Sequence, residues 1–373
     1  MRHNVHNACQ VELLMCVPKI ESVSVKTVLV PINPPHRTAS GVVDKSPLVL
    51  INIRCSDGLV GRAIVFTYTP ITLKPVADLI TGFGELIRGQ TLAPRALNKL
   101  LLQRTRLIGS QGLVGMAIAG IDMALWDALA ISQCLPLCRL LGGDTQSVQA
   151  YGGTGYDGEL ETAKQAEAWV KLGVKGVKAK VGYPTAAEDL SVIRAMRSAV
   201  GPDVELMVDF NQSLSPADAI ARLSILDEEG LVWIEEPVLA HDYANTAMVK
   251  DALHTPIQSG ENWWGPADMQ LALQADASDF VMPDVMKIGG ITGWLKAVSL
   301  AEAAGIQVSS HLWPEVSAHL LAIGTSSHRL EYVDWWNPII EVPLLVEDGM
   351  SVIDPNRYGS GINWNQYVDQ YRI

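Results

Sequence analysis

The stretch Met207-Val208-Asp209 is a short β-rich run that ends on an acidic side chain, and the same design recurs through the second half of the chain. Helical segments separate successive runs, which is typical of βα units on a parallel sheet. Eight such units over roughly 200 residues predict a closed (β/α)8 barrel rather than an open doubly wound sheet. The runs end at Tyr151-Gly152-Gly153, Lys178-Ala179-Lys180, Met207-Val208-Asp209, Trp233-Ile234-Glu235, Ser259-Gly260-Glu261, Met282-Pro283-Asp284, Ser309-Ser310-His311 and Leu330-Glu331.

The N-terminal part of the chain has a different pattern and predicts an α+β capping domain. Apolar and polar residues alternate from about residue 18 to residue 70, and Ser56-Asp57-Gly58 between two such runs indicates a hairpin turn. Helical periodicity follows and ends at Gly142-Gly143. The Pro-rich and polar composition of about residues 31–47 predicts a lid loop.

These patterns divide the chain into four expected parts. They are a disordered leader over residues 1–17, with Met1 or Met15 as the start, the capping domain over 18–143, the barrel over 144–343 and a segment over 344–373 that returns to the capping domain.

Composition narrows the class of protein. The chain has 373 residues, a formal net charge of −12 and 48% hydrophobic residues, which argues against disorder and against nucleic-acid or anionic-membrane partners. The five cysteines do not form a disulfide framework, and no apolar signal segment opens the chain, so we expect a cytoplasmic protein. The most apolar stretch, Gly112 to Ile131, contains Asp122 and Asp127 and is expected to be a buried helix rather than a membrane span.

Polar side chains close seven of the eight runs at intervals of 20 to 29 residues, about one βα unit each. A single acidic residue at such a place is more often a loop charge or a helix N-cap. Seven polar residues, each about one βα unit after the last, predict a shared site at the C-terminal mouth of the barrel. They are Lys180, Asp209, Glu235, Glu261, Asp284, His311 and Glu331.

Three of these carboxylates end consecutive strands and predict a metal site. Asp209, Glu235 and Glu261 would converge and repel one another unless a cation lay between them. Ligation by oxygen alone favours Mg²⁺, with Mn²⁺ as a substitute. Glu236 competes with Glu235 for the ligand role, because strand alternation admits only one of the pair into the barrel.

The remaining groups predict acid–base chemistry. Lys178 and Lys180 are two apart on one strand, so both point into the barrel, and each ammonium is expected to depress the pKa of the other. Asp284 is expected to orient His311 and raise its basicity. Lys180 and His311 would then face a substrate from opposite sides and abstract a proton α to a carboxylate held by the metal and Lys178, with a protonated Glu331 donating to the enediolate.

Several segments around these residues occur together in one known family. They are Lys178-Ala179-Lys180, Val208-Asp209-Phe210-Asn211, Trp233-Ile234-Glu235-Glu236-Pro237, Gly260-Glu261-Asn262-Trp263, Pro283-Asp284-Val285-Met286-Lys287-Ile288-Gly289-Gly290, Ser309-Ser310-His311-Leu312 and, near the N-terminus, Val65-Phe66-Thr67-Tyr68-Thr69-Pro70. From about residue 20 onward the chain resembles the mandelate racemase subgroup of the enolase superfamily.

The resemblance implies a role for each matching residue. It assigns the magnesium ligands to Asp209, Glu235 and Glu261, the bases to Lys180 and His311 with Asp284, the carboxylate contact to Lys178, the opposing acid to Glu331 and a place near the α-hydroxyl to Asn211. It also implies a homo-oligomer, with an octamer as the state to test.

The sequence departs from that family around the substrate. His36, Ser40 and Val43 occupy lid positions that are apolar in mandelate racemases, and Gly153 stands where those enzymes have a serine. Tyr68, Leu312 and Val333 complete the expected substrate pocket.

Three functions remain open at this point. The extent of the resemblance favours racemisation of a 2-hydroxy acid of the mandelate type. The polar lid residues favour the alternative, dehydration of a sugar acid to a 2-keto-3-deoxy acid. A barrel kept only for binding would have no metal affinity and would leave the strand-end groups unexplained.

Overall fold

The N-terminal unit is a three-stranded antiparallel sheet covered by helices. A computed structural model describes residues 18–38 and 41–373; the expected leader over 1–17 and the choice of start residue lie outside this range. The sheet has the order β1-β2-β3, with β1 at Ile20–Thr38, β2 at Gly41–Cys55 and β3 at Val60–Phe66.

The structure corrects the prediction of an irregular loop over about residues 31–47. Strands β1 and β2 continue into this region as a hairpin arm that pairs Pro31 with Lys45 and Thr38 with Gly41. The prolines are accommodated because the register shifts between Pro31 and His36, where ladder hydrogen bonds are not required. The region is therefore an extended β-arm that reaches beyond the sheet.

The helix Gly112–Ser132, labelled α3, forms the core of the N-terminal unit, as its composition predicts. It is the one described helix that is long and apolar enough to cross a membrane, and 83% of its apolar window is buried inside the fold. Its glycines allow close packing, since a Cβ on Gly120 would lie 2.4 Å from Val65 of the sheet. The helices of this unit are α1 at Leu73–Ile87, α2 at Pro94–Arg104, α3 at Gly112–Ser132 and α4 at Leu137–Leu140.

The second unit contains eight parallel strands in the order β10-β9-β8-β7-β6-β5-β4-β11. A bridge between Val308 and Ser327, with the His328 amide donating to the Val308 carbonyl at 2.8 Å, joins the two ends of this order. The expected (β/α)8 barrel with an α+β cap is confirmed. The strands are β4 at Ala150–Thr154, β5 at Gly176–Lys180, β6 at Glu205–Asp209, β7 at Ile234–Glu235, β8 at Ile257–Ser259, β9 at Phe280–Val281, β10 at Gln307–Val308 and β11 at Leu330–Tyr332.

Helices alternate with these strands and cover the outside of the barrel. The helix Ala186–Val200, labelled α6, begins with a capping box in which Thr185 and Glu188 satisfy each other's backbone amides. Val177 and Ala179 of β5 pack toward the helices, whereas Tyr151, Met207 and Trp233 fill the inside of the barrel below the mouth. The helices are α5 at Gly158–Lys171, α6 at Ala186–Val200, α7 at Pro216–Leu226, α8 at Tyr243–Asp251, α9 at Pro266–Gln274, α10 at Gly290–Ala304 and α11 at Pro314–Leu321.

The last residues contact the N-terminal sheet. After a small hairpin of β12 at Leu345–Glu347 and β13 at Met350–Val352, the Trp364 indole donates to Asn52 at 2.8 Å. Arg372 forms a backbone bridge with Val28 of β1. The end of the chain therefore lies against the N-terminal sheet, and the assignment of residues 344–373 as one returning segment stays a prediction.

Candidate active site

Three carboxylates converge at the C-terminal mouth of the barrel. Asp209 ends β6, Glu235 ends β7 and Glu261 follows β8, so parallel pairing brings them to one edge. Each offers one oxygen, and these oxygens all lie within 4.8 Å of one another. All three side chains are buried, which makes three unshielded negative charges costly without compensating cations.

The backbone leaves the regular β conformation just beyond these strands. Asn211, Gln212 and Glu236 have φ values of 44°, 64° and 38°, and Leu312 and Trp313 follow at 50° and 48°. Left-handed backbone is strained for residues with a side chain and tends to cluster at functional sites. Here it redirects the chain over the mouth.

Two buried lysines neutralise part of the carboxylate charge. The Lys178 ammonium lies 2.5 Å from Oε1 of Glu235 and 2.8 Å from Oε1 of Glu331. Lys180 donates to Oδ2 of Asp209. Both lysines point into the barrel, as their spacing on β5 predicts.

Lys178 lowers the pKa of Lys180, as the sequence predicts, but the expected net lowering of the lysine pKa values was wrong for this arrangement. Burial lowers the pKa of each ammonium, but nearby carboxylates more than offset it, Glu235 for Lys178 and Asp209 for Lys180. Both pKa values are therefore raised above the usual lysine value.

Asp284 and His311 form a hydrogen-bonded pair on the other side of the triad. The two residues pair as a parallel bridge, and Nδ1 of His311 lies 2.6 Å from Oδ2 of Asp284. Nε2 of His311 is left facing Oε2 of Glu261 at 3.2 Å. Burial lowers the pKa of His311, but Glu261 and the hydrogen bond to Asp284 outweigh it and raise the value.

Glu331 is ionised in this arrangement, and its protonation opposite a bound substrate stays a prediction. Burial raises its pKa, but Lys178 and His311 more than compensate and bring the value to about 2. Its second oxygen accepts the Leu312 amide at 3.1 Å. Glu331 thus joins the lysine side of the mouth to the histidine side.

Strand alternation does not exclude Glu236 from the mouth, contrary to the sequence-based expectation. Its positive φ turns the side chain inward, where Oε2 accepts from Asn262 at 2.7 Å. Asn262 in turn accepts from Lys287 at 2.7 Å and donates to Glu261 at 3.1 Å. Lys287 lies 4.7 Å from the centroid of the Tyr68 ring. Sequence analysis missed this chain of contacts, although Lys287 stands three residues after Asp284.

A cavity of about 780 Å³ lies between the mouth and the N-terminal β-arm. Its floor carries the polar groups, and its outer wall is largely aromatic and aliphatic. Ring centroids of Phe66 and Trp335 are 5.7 Å apart, and those of Phe66 and Tyr68 are 4.8 Å apart. Of the residues proposed from the sequence, those lining the cavity are His36, Val43, Tyr68, Lys180, Asn211, Glu261, His311 and Leu312.

Some expected pocket residues are placed elsewhere. Val333 is buried but does not line this cavity, and Ser40 lies outside the described residues. Trp264 and Trp335 line the cavity as well. Their tandem tryptophan partners Trp263 and Trp336 are the buried members of each pair.

Comparison with known proteins identifies the family. The mandelate racemase/muconate lactonizing enzyme N-terminal domain matches residues 20–142, and the enolase C-terminal domain-like family matches residues 161–368. The chain belongs to the mandelate racemase/muconate lactonizing enzyme family of the enolase superfamily. The predicted resemblance is thereby confirmed.

Relatives within this family have different activities. An L-talarate/galactarate dehydratase from Salmonella typhimurium is 33% identical over 340 residues, which cover 87% of this chain and 82% of the relative. An L-Ala-D/L-Glu epimerase from Bacillus subtilis is 28% identical over 92% of this chain and 96% of the relative. An enolase from Bradyrhizobium, solved with magnesium and mandelic acid, is 40% identical with a TM-score of 0.91 over 96% of this chain and 100% of that one.

Solved relatives from this family contain bound magnesium. The triad is a suitable site for the same ion. Three carboxylate oxygens within 4.8 Å of one another are the donor type that Mg²⁺ prefers, and they leave positions of an octahedral ion for other ligands. Oε2 of Glu261 accepts no hydrogen bond by geometry and has the Nε2 of His311 at 3.2 Å as its charged neighbour, so it is open to a further ligand on the side of the triad. Mg²⁺ is therefore the cofactor that these residues would hold.

Proposed function

We propose that this enzyme racemises a 2-hydroxy acid that carries an aryl group on its α-carbon. The observation that carries the proposal is the aromatic wall formed by Phe66, Tyr68 and Trp335 above a mouth with a base on each side. His36 adds to this wall, with its ring centroid 5.0 Å from that of Trp335. Burial and the nearby Lys180 lower the pKa of His36 to about 4, so this lid residue is neutral and packs as a ring near pH 7.

The strand order supports a base on each face of the substrate. Lys180 ends β5 and His311 follows β10. These strands are separated by β4 and β11 on one side and by β6, β7, β8 and β9 on the other. A carboxylate placed over the triad would therefore present its α-carbon between the two bases.

Each side chain has a separate role in the proposed reaction. Lys178 holds one oxygen of the substrate carboxylate and loses its contact with Glu235 or Glu331 in exchange. Lys180 or His311 takes the α-proton from one face, and the other returns a proton to the opposite face. Mg²⁺ on the triad would supply positive charge that stabilises the negative charge developing on the carboxylate.

The raised pKa of Lys180 is compatible with a role as base. Its largest favourable partner is Asp209, a member of the triad. A divalent cation held by Asp209 would take up part of that negative charge and so reduce this stabilisation, while burial and the neighbouring Lys178 would continue to favour the neutral form of Lys180.

Dehydration of a sugar acid is the second candidate. Asn211, Gln212, Asn262 and Lys287 provide a polar side of the cavity that could bind hydroxyl groups. The 33% identity to a talarate/galactarate dehydratase supports the same choice. In that reaction one base would abstract the α-proton and the other would protonate the departing β-hydroxyl.

Incubation in D₂O with Mg²⁺ distinguishes the two. Each enantiomer of mandelate and a panel of sugar acids would be followed by proton NMR. We expect α-deuteration and loss of optical activity for mandelate without a new product, because either base can return a deuteron. Formation of 2-keto-3-deoxy acids with no exchange of aryl acids would favour dehydration, and the absence of exchange, turnover and Mg²⁺ binding would contradict both.

A further inference from the structure

A buried aspartate of the capping domain lies against the N-terminus of a barrel helix. Asp122 of α3 accepts the Thr292 amide at 2.9 Å and the Thr292 hydroxyl at 2.6 Å. The Ile291 amide also donates to it. Helix α10 has no capping side chain of its own because its N-cap is Gly289. Asp122, which belongs to another helix, therefore accepts hydrogen bonds from the amides that have no partner within α10.

Glycine at the first position of α10 makes this approach possible. A Cβ on Gly290 would lie 2.5 Å from Oδ2 and 2.8 Å from Cβ of Asp122. The carboxylate is only 1% exposed, and Trp126 of the same helix donates to the Thr292 hydroxyl at 3.0 Å. The contact between α3 and α10 is therefore close and specific.

The turn before α10 connects this contact to the proposed base. The Gly290 amide donates to Val285 and the Ile288 amide to Asp284, each at 2.8 Å. Oδ1 of Asp284 accepts the amides of Met286 and Lys287 at 2.8 and 2.9 Å. Its other oxygen holds His311. The turn 284–290 thus joins Asp284 to the helix end that Asp122 fixes.

We propose that Asp122 is a positioning residue for His311, acting through α10, the turn 284–290 and Asp284. The kinetic test of this inference rests on the proposed function, whereas the structural link itself does not. Lys180 has no such link, because it ends β5 and is held by Asp209 of β6. Loss of the Asp122 contact should therefore disturb His311 directly through Asp284, and Lys180 only indirectly, through Lys287 of the same turn, which bonds to Asn262 beside the metal ligand Glu261.

Helix α3 supplies a matched control five residues farther on. Asp127 is also buried, at 2% exposure, and accepts the amide and hydroxyl of Ser360 at 2.6 and 2.8 Å and the Arg62 amide at 2.8 Å. It joins α3 to the C-terminal segment and to β3 rather than to α10. Asp127→Asn therefore measures how the exchange rates respond when a buried contact of α3 that does not involve α10 is weakened.

The kinetic test compares Asp122→Asn with Asp127→Asn in the full-length, Mg²⁺-loaded enzyme. Exchange of each mandelate enantiomer would be measured at about pH 8, above the pKa of about 7 to which burial raises Asp122. Asp122→Asn should slow the exchange that depends on His311 by about tenfold. The exchange that depends on Lys180 should change by less than about twofold, because that base shares no partner with Asp122.

A selective loss in Asp122→Asn and none in Asp127→Asn would support the inference, and equal losses for both enantiomers would overturn it. Thr292→Val, which removes one hydrogen bond to Asp122 and keeps the side-chain shape, should show the same selectivity to a smaller extent. Thr292→Val takes the place of Asp122→Asn in this test if Asp122→Asn does not fold.

A second measurement is independent of activity. The Nδ1 proton between His311 and Asp284 would be followed as a downfield proton NMR signal, assigned by its loss in His311→Asn. We expect this signal to shift in Asp122→Asn and not in Asp127→Asn. An unchanged signal would overturn the positioning role, whereas a shifted signal in an enzyme that exchanges no acid would overturn the proposed function alone.

Discussion

His311→Asn is expected to abolish deuterium exchange of one mandelate enantiomer while exchange of the other continues, and Lys180→Ala is expected to do the reverse. Each base faces one side of the α-carbon, so each replacement removes proton transfer on that side only. Loss of a general base lowers the rate by about 10³-fold. Racemisation, which needs both faces, should stop in either variant.

Proton NMR in D₂O with separate enantiomers gives both rates. His328→Asn is a suitable control, because His328 is a second buried histidine of the barrel that packs on Phe280, with ring centroids 4.5 Å apart, and lies outside the cavity. We expect it to leave the ratio of the two exchange rates unchanged. Loss of both exchanges in each base variant would show that the two groups act on the same face.

Glu261→Gln is expected to remove most Mg²⁺ affinity and the exchange of both enantiomers together. The change takes one of three negative charges from the triad, and the remaining two are already paired with Lys178 and Lys180. We expect affinity to fall by about 100-fold or more, since oxygen ligands of Mg²⁺ act mainly through their charge. Calorimetric titration with Mg²⁺ measures this loss directly.

Glu315→Gln provides the matched control for the metal variant. Glu315 is buried to a similar degree, at 5% exposure against 7% for Glu261, but bonds to Trp336 away from the triad. Its replacement should leave Mg²⁺ affinity unchanged. Equal affinity of Glu261→Gln and the unmodified enzyme would place the cation elsewhere.

The convergence of the triad could be predicted because it depends only on strand spacing. Polar residues one βα unit apart must meet at the same edge of a parallel barrel. The same argument brought Lys178, Lys180, Asp284 and His311 to the mouth. Protonation could not be predicted, because the pKa values of Lys180 and Glu331 depend on distances of a few ångströms between partners from different strands.

The sequence-based predictions that were wrong concern features that depend on local backbone conformation or on packing between the two units. The β-arm keeps strand pairing through a register shift, which overrides the turn preference of its prolines. Glu236 enters the site because its φ of 38° breaks strand alternation. Trp335 reaches the cavity through contacts with Phe66 and His36 from the other domain. The homo-oligomer and the cytoplasmic location stay predictions.

The central claim is that one cation on Asp209, Glu235 and Glu261 lies between two bases on opposite faces of the substrate. Diffraction at the manganese absorption edge, from crystals grown with Mn²⁺ and a 2-hydroxy acid, tests it directly. We expect one anomalous peak bound by the three carboxylates, with Nζ of Lys180 and Nε2 of His311 on opposite sides of the α-carbon. A peak away from these carboxylates, or both bases on one side, would contradict the account.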